Sequence, residues 1–452
     1  MAKDLRHFLD KVRALGPDYF VEVNKAIDPV YEMAVLQQKL AKKGSNPVIL
    51  YRNVKGSHLP VVANLFGSYP LLGLALDVPF DYLTDGRYHY IVEEFRKRQG
   101  RPIAATMVTP TKAPVRQVIW RGNDIDLSRL PVAKHAELNA DRYVDAGLTI
   151  LRHPDSGKIN VGIYRQQVKG PTRLACMIAP AHHGSTIARR YAELGKLIPV
   201  ATAIGHHPAA AIAAGSTRPQ KNEDELELIG GMLGESLEVT PGLTVDLPVP
   251  ARAEIVIEGT IDPRRMESDG PFSEGAGYYG EGKPCYVIEI TAITMRRDAI
   301  YHDLHPVHAE HNLVGILQRE MDVFDRVRAA GVDVKAVHIG PDDQCGKLIM
   351  YVSNEKRSPD DARVAGQAAV ARGFAKVAIV VDEDIDVYDQ SEVLWAMATR
   401  ARDAFTYSTD AAPDSFQGVL ETNNRASRLA AMTSKLIIDA TRPLDCTGPI
   451  RV

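Results

Sequence analysis

The stretch YVIEITAITM, residues 286–295, is rich in β-branched side chains and free of glycine and proline, so it reads as a strand. Runs of the same texture recur upstream at 118–120, 148–151, 174–178 and 254–258. Two helical stretches, 185–194 and 223–233, interrupt them. Many short strands separated by Gly and Pro predict a barrel-like sheet across 111–311. Before it, Leu5, Phe8, Leu9, Val12 and Leu15 form one apolar helical stripe. A second helix over 31–43 ends at Gly44, a strand follows at 48–51, and Pro102, Pro110 and Pro114 bracket a linker. This gives an N-terminal α/β part over 1–110. A long helix near 312–330 joins the barrel to the last segment, so residues 312–331 are expected to be a linker. In residues 332–452, strand-like VKAVHI, KLIMYV and VAIVVD alternate with helices near 359–372 and 391–402, the pattern of a compact α/β domain. The expected class is therefore mixed α/β (α+β) with several domains.

The 452 residues include 45% hydrophobic and 25% charged side chains, ordinary globular composition. A formal charge of −3 provides no basic field for nucleic acid or an anionic membrane, so any anionic ligand must be held by a few placed donors. No apolar run approaches the roughly 20 residues of a membrane span, and MAKDLRHFLDKV lacks the apolar core of a signal peptide. Cys176, Cys285, Cys345 and Cys446 are far apart, which argues against a disulfide framework and for a reducing cytoplasm.

Nucleotide-loop, GxSxG and HExxH patterns are absent. Five other segments carry chemistry. SDGPFSEGAGYYG (268–280) places Asp269 and Glu274 on either side of a Gly-Pro-Phe turn, able to aim two carboxyls into one cavity; its plain alternative is a solvated loop. KINVGIYRQQ (158–167) holds Asn160 and Arg165, which strict alternation puts on opposite faces unless a bend intervenes; they could serve neighbouring metal and substrate sites. APAHHGSTIARR (179–190) sets His182 and His183 at a helix start, suited to phosphate or metal or simply to capping. In KNEDELELIGG (221–231) the acids suit a helix N-terminus, and an inward Glu225 could complete an oxygen-rich metal site. In MTSKLIIDAT (432–441), Lys435 begins a strand and could meet a phosphate as a point charge.

Taken in order, these segments resemble the UbiD-like decarboxylases along nearly the whole chain. The resemblance rests on Asn160 and Arg165, then His183, Glu225, Asp269 with Glu274, and Lys435 ahead of Asp439-Ala440. It implies a split β-barrel that binds prenylated FMN and a C-terminal domain that forms homo-oligomers, dimer or hexamer. It implies that Asn160, His183 and Glu225 hold Mn²⁺ (or Mg²⁺) against the flavin phosphate, that K⁺ accompanies it, and that Lys435 contacts the same phosphate. Ile163, Arg165, His182, Gly215, Ser216 and Thr217 would complete the cofactor site. Amide oxygen, imidazole and carboxylate are the donors such a metal takes.

The same resemblance implies reversible, non-oxidative decarboxylation of an aromatic, heteroaromatic or α,β-unsaturated carboxylic acid through a covalent adduct with the cofactor, releasing CO₂. Arg165 would orient the carboxylate, Asp269 would hold Arg165, and Glu274 would deliver the proton that replaces CO₂. A flavin prenyltransferase would supply the cofactor. Two departures stand out. Many relatives carry Glu where this chain has Asp269, one methylene shorter. Residues 301–315 are unusually rich in histidine, and His302, His305, His308 and His311 follow an i, i+3 spacing that Pro306 interrupts. His302, His305 and His311 are expected in a substrate pocket, favouring a small phenolic, heteroaromatic or dicarboxylic acid, with a surface loop as the alternative. A metal-dependent hydrolase built on these histidines, with His206 and His207, and a non-catalytic subunit of a larger carboxylase are the rival readings.

Overall fold

In the computed structural model, which describes residues 2–180, 182–216, 223–340, 347–371, 375–401, 403–410 and 432–445, the strand Lys283–Met295 is the hub of the largest sheet. It pairs antiparallel with Ile255–Asp269, Arg173–Cys176 and Val118–Arg121. The order across the sheet is Tyr143–Val144, Gln166–Val168, Arg173–Cys176, Lys283–Met295, Ile255–Asp269, Ile198–Ile204, Leu148–Arg152, Ile159–Ile163.

This order forces curvature. Ile159–Ile163 ends one side of the sheet, and after only Tyr164 and Arg165 the chain enters Gln166–Val168, six strands away. In a flat sheet six steps of about 4.8 Å separate two strands by roughly 29 Å. Three Cα–Cα steps span about 11 Å at most. The sheet must therefore curl until its ends nearly meet. No ladder joins them among the described residues, which leaves the barrel split at Tyr164–Arg165. Leu151, Leu174, Val200, Ile257, Ile288 and Ile293 fill the interior.

The N-terminal stripe is a helix, Leu5–Arg13, with Leu5, Phe8, Leu9 and Val12 buried. The N-terminal sheet runs Phe20–Val23, Val48–Tyr51, Val61–Ala63 and is completed by Tyr301–His302, which returns from beyond the barrel. This returning strand ties the N-terminal part to the barrel, and Met1–Glu274 and Tyr279–Gly315 group together as one unit. The second unit comprises Gly275–Tyr278 and Ile316–Val452. Its five-stranded sheet runs Asp333–Ile339, Ile349–Glu355, Val377–Asp382, Met432–Ala440, Asp403–Asp410, with the three central strands parallel. The crossover helix Asp361–Val370 makes the first parallel pair possible.

One expected element is corrected. The helix foreseen over 312–330 is two helices, Ala309–Leu313 and Ile316–Ala329, because Gly315 takes φ +71°, outside helical geometry. Cys176 and Cys285 are free and buried; Cys345 and Cys446 lie outside the described residues. Among the described residues no helix is long and apolar enough to cross a membrane.

Candidate active site

Arg165 occupies the break between two strands, so its side chain is not bound to the alternation of either. Its Nε donates to Asp269 Oδ2 at 2.8 Å, Nη2 lies 2.7 Å from the same oxygen, and Nη1 donates to Glu274 Oε1 at 2.6 Å. Asp269 ends the long strand Ile255–Asp269 and is wholly buried; the shorter arm, relative to Glu, still reaches both guanidinium donors. Gly270, at φ +100°, then turns the chain into a ribbon pairing Phe272–Ser273 with Tyr279–Gly280. Phe272 lies beneath the guanidinium, 4.4 Å from its carbon to the ring centre. The ribbon is anchored: Ser273 N donates to Asn139 Oδ1 and Ala140 N to the Pro271 carbonyl. The solvated-loop alternative is thereby corrected for Asp269, Phe272 and Ser273, all buried. Gly280 leaves room for the acid, since a Cβ there would stand 2.9 Å from Glu274 Oε1. Burial works against Arg165's charge, but Glu274 and Asp269 outweigh it and hold its pKa up.

Asn160, His183 and Glu225 also converge. Asp224 caps the helix Glu225–Leu233 by accepting from Leu226 N, the ordinary task of an acid there, which releases Glu225 to turn toward the barrel. Glu225 accepts from Asn160 Nδ2 at 2.9 Å and from the Val161 backbone N–H, and its Oε1 lies 4.0 Å from His183 Nδ1. His183 is the first residue of the helix His183–Glu193. Burial, opposed by these hydrogen bonds and reinforced by Asp224 and Glu223, pushes the Glu225 carboxyl up to about 7. Burial lowers the His183 pKa, which favours the neutral, ligating imidazole. A desolvated carboxyl flanked by further acids is stabilised by a bound cation, and amide, carboxylate and neutral imidazole are a donor set that Mn²⁺ or Mg²⁺ accepts.

The remaining expected residues fall as follows. Ile163 ends the Asn160 strand, and the His182 ring lies 5.6 Å from that of Tyr164. Gly215 and Ser216 close the helix Pro208–Ala214, which packs on the Asn160 strand and on the Glu225 helix. Thr217 lies outside the described residues. Lys435 is buried in the second unit, where Nζ donates to the Ala375 carbonyl. His302 and His305 are interior residues, which corrects the surface-loop alternative for both. Glu310, wholly buried, accepts from Asn64 N and Leu65 N at 2.7 Å and lies 3.3 Å from His302 Nε2. His305 stacks on His135 with ring centres 5.1 Å apart, and His311 is half-buried. Among the described residues no three His, Cys, Asp or Glu side chains are grouped to hold a metal.

Two contributors were not singled out from sequence. Tyr164 donates to Asn160 Oδ1 at 3.4 Å and fits only because Gly162 and Gly184 carry no side chain; a Cβ on Gly162 would stand 2.5 Å from its ring. Phe272 was visible as part of the turn, but its place under Arg165 depends on that turn's direction.

Comparisons with known proteins identify the family. Residues 17–85, 106–309 and 312–440 match the N-terminal, Rift-related and C-terminal domains of 3-octaprenyl-4-hydroxybenzoate carboxy-lyase, the UbiD family. The UbiD-class enzyme HmfF from Pelotomaculum thermopropionicum, solved with FMN, is 36% identical with a TM-score of 0.88, covering 99% of this chain and 97% of that one. An evolved dimeric form of HmfF with prenylated FMN is 34% identical (TM-score 0.85; 100% and 97% covered). Vanillic acid decarboxylase from Sedimentibacter hydroxybenzoicus, in open form, is 25% identical (TM-score 0.82; 100% and 95%). The family match and the decarboxylase neighbours define a carboxy-lyase. This chain belongs to the UbiD family.

Proposed function

We propose that the chain carries out reversible, non-oxidative decarboxylation of an aromatic, heteroaromatic or α,β-unsaturated carboxylic acid with prenylated FMN. The observation that carries this reading is the guanidinium of Arg165 held between two carboxyls, Asp269 and Glu274, at 2.6–2.8 Å. Asp269 is enclosed and fixes the arginine; Glu274, at 16% side-chain exposure, is the acid that can reach a substrate. An incoming carboxylate would pair with Arg165, whose planar fork matches it. Glu274 would then place a proton on the carbon that loses CO₂. Prenylated FMN, when bound, would supply the electrophilic, electron-accepting chemistry that decarboxylation needs.

Asn160, His183 and Glu225 would hold Mn²⁺ or Mg²⁺ against the flavin phosphate, with Ile163, His182, Gly215, Ser216 and Thr217 around the cofactor and Lys435 as a further phosphate contact. K⁺, a flavin prenyltransferase as cofactor supplier, and homo-oligomerisation belong to the same proposal through family resemblance; the dimeric HmfF form supports the last. His302, His305 and His311 would bias the pocket toward small polar acids. The test is Glu274→Gln: turnover is expected to fall about 10²–10⁴-fold with cofactor retained. Turnover near wild type would remove Glu274 from the mechanism.

A further inference from the structure

Behind the Arg165–Asp269 pair lies a second set of ionisable groups that the mechanism above does not use. Tyr143 pairs with Gln167 and Val144 with Gln166. Asp145 follows Val144 and Arg165 precedes Gln166, so the end of this ladder brings the two into one neighbourhood, where the guanidinium acts on the Asp145 carboxyl. Asp145 is 4% exposed, and neither of its carboxylate oxygens has a hydrogen-bond partner among the described residues. Its nearest charged neighbour is His135, Nδ1 to Oδ2 3.6 Å, and His135 Nε2 lies 2.9 and 3.1 Å from the carboxylate oxygens of Asp303. His135 and Asp303 are as enclosed as Asp145, at 5% and 1% exposed. The buried Tyr143 hydroxyl hydrogen-bonds Asp269, and the buried Tyr301 hydroxyl is acted on by both Asp303 and Asp145.

The groups that act on Asp145 come from every side. His135 belongs to the preceding loop, Asp303 follows the Tyr301–His302 strand, Arg165 lies in the barrel break and Asp269 ends its strand. Glu310 acts on His135 from the helix Ala309–Leu313, and His305 stacks on the same ring. Burial and two further carboxyls nearby disfavour the charged form of Asp145. Burial, with Asp303 and Asp269 adding to it and His135 and Arg165 opposing, pushes the Asp145 carboxyl up to about 7. Burial disfavours the charged His135, but Asp303, Asp145 and Glu310 outweigh it and raise its pKa.

We propose that Asp145, backed by His135 and Asp303, is a positioning residue for Arg165, and that its charge sets how strongly the guanidinium grips the carboxylate of the substrate. While Asp145 is neutral, Arg165 is shared by Asp269, Glu274 and the incoming acid. Once Asp145 ionises, a further anion draws on the same guanidinium and repels the substrate carboxylate. Apparent affinity then weakens as pH rises through neutrality. This inference rests on the assignment of Arg165 as the carboxylate-binding group.

The test uses holoenzyme produced with a flavin prenyltransferase and the aromatic acid it turns over best. KM of the wild type is expected to rise about three- to tenfold between about pH 6 and 8, the size of one partly screened charge at this range. Asp145→Asn should flatten that rise while the pH dependence of kcat keeps its form. His135→Gln removes a cation that lowers the Asp145 pKa, so the transition should move to higher pH. In parallel, infrared titration of cofactor-free protein should show a buried protonated carboxyl lost near neutrality in wild type and missing in Asp145→Asn. A wild-type rise in KM that survives Asp145→Asn, or an unchanged carboxyl titration in that variant, overturns the proposal. If no acid is turned over, the function proposed above fails, and the infrared titration alone decides the charge state of Asp145.

Discussion

The two ends of the site differ in how their charges are answered. At Arg165 one cation meets two carboxylates within 2.8 Å, all supplied by the chain. At Glu225 the partners are hydrogen-bond donors, an amide and a backbone N–H, and the neighbouring charges, Asp224 and Glu223, have the same sign. The first end is organised before any ligand arrives. Under the proposed function the second would be completed by a cation from outside. A flavin phosphate anchored through a metal needs that asymmetry, because a self-neutralised site would have nothing to offer the ion.

The largest expected effect separates the ends by stability. Arg165→Met leaves Asp269 buried with no counter-charge and should cost about 3–5 kcal/mol in denaturant unfolding, with turnover abolished. A variant as stable as wild type would show that the network is not internally balanced. Two glycine substitutions probe geometry at each end. Gly280→Ala displaces the flexible end of Glu274, so the fold should persist while turnover falls about 10²-fold. Gly162→Ala pushes on the Tyr164 ring beside Asn160 and should weaken Mn²⁺ binding about tenfold or more, measured by calorimetry, without disturbing the Arg165 end. Loss of Mn²⁺ binding in Gly280→Ala, which leaves Asn160, His183 and Glu225 untouched, would contradict two separable ends. The smallest effect concerns pH. With its carboxyl near 7, Glu225 must shed a proton to bind metal, so Mn²⁺ affinity should weaken about tenfold per unit below about pH 7. A flat profile would mean that Glu225 is not a ligand.

Much of this was legible before the structure. Tyr286–Met295 lies within the central strand, Val48–Tyr51 is a strand, and Pro306 does interrupt the histidine segment. The candidate residues of the site were legible only through the family resemblance, since each segment alone has an ordinary structural use as a loop, strand or helix cap. Its geometry was less so. That Asn160 and Arg165 belong to different stretches of a curled sheet depends on a two-residue break that no periodicity announces. Asp145 and His135 gave no signal, since a buried carboxyl next to apolar residues looks like a turn acid until the register with Gln166 and Gln167 is known. The continuous helix expected near 312–330 failed at one glycine, where positive φ mattered more than the apolar spacing around it.

The most direct test of a cation-anchored cofactor is native mass spectrometry of the chain produced with a flavin prenyltransferase, in wild type and Glu225→Gln. Wild-type protein should carry prenylated FMN together with one divalent ion, and the variant should lose both at once. A variant that keeps the flavin while losing the metal, or a wild-type chain that binds neither, would contradict the account.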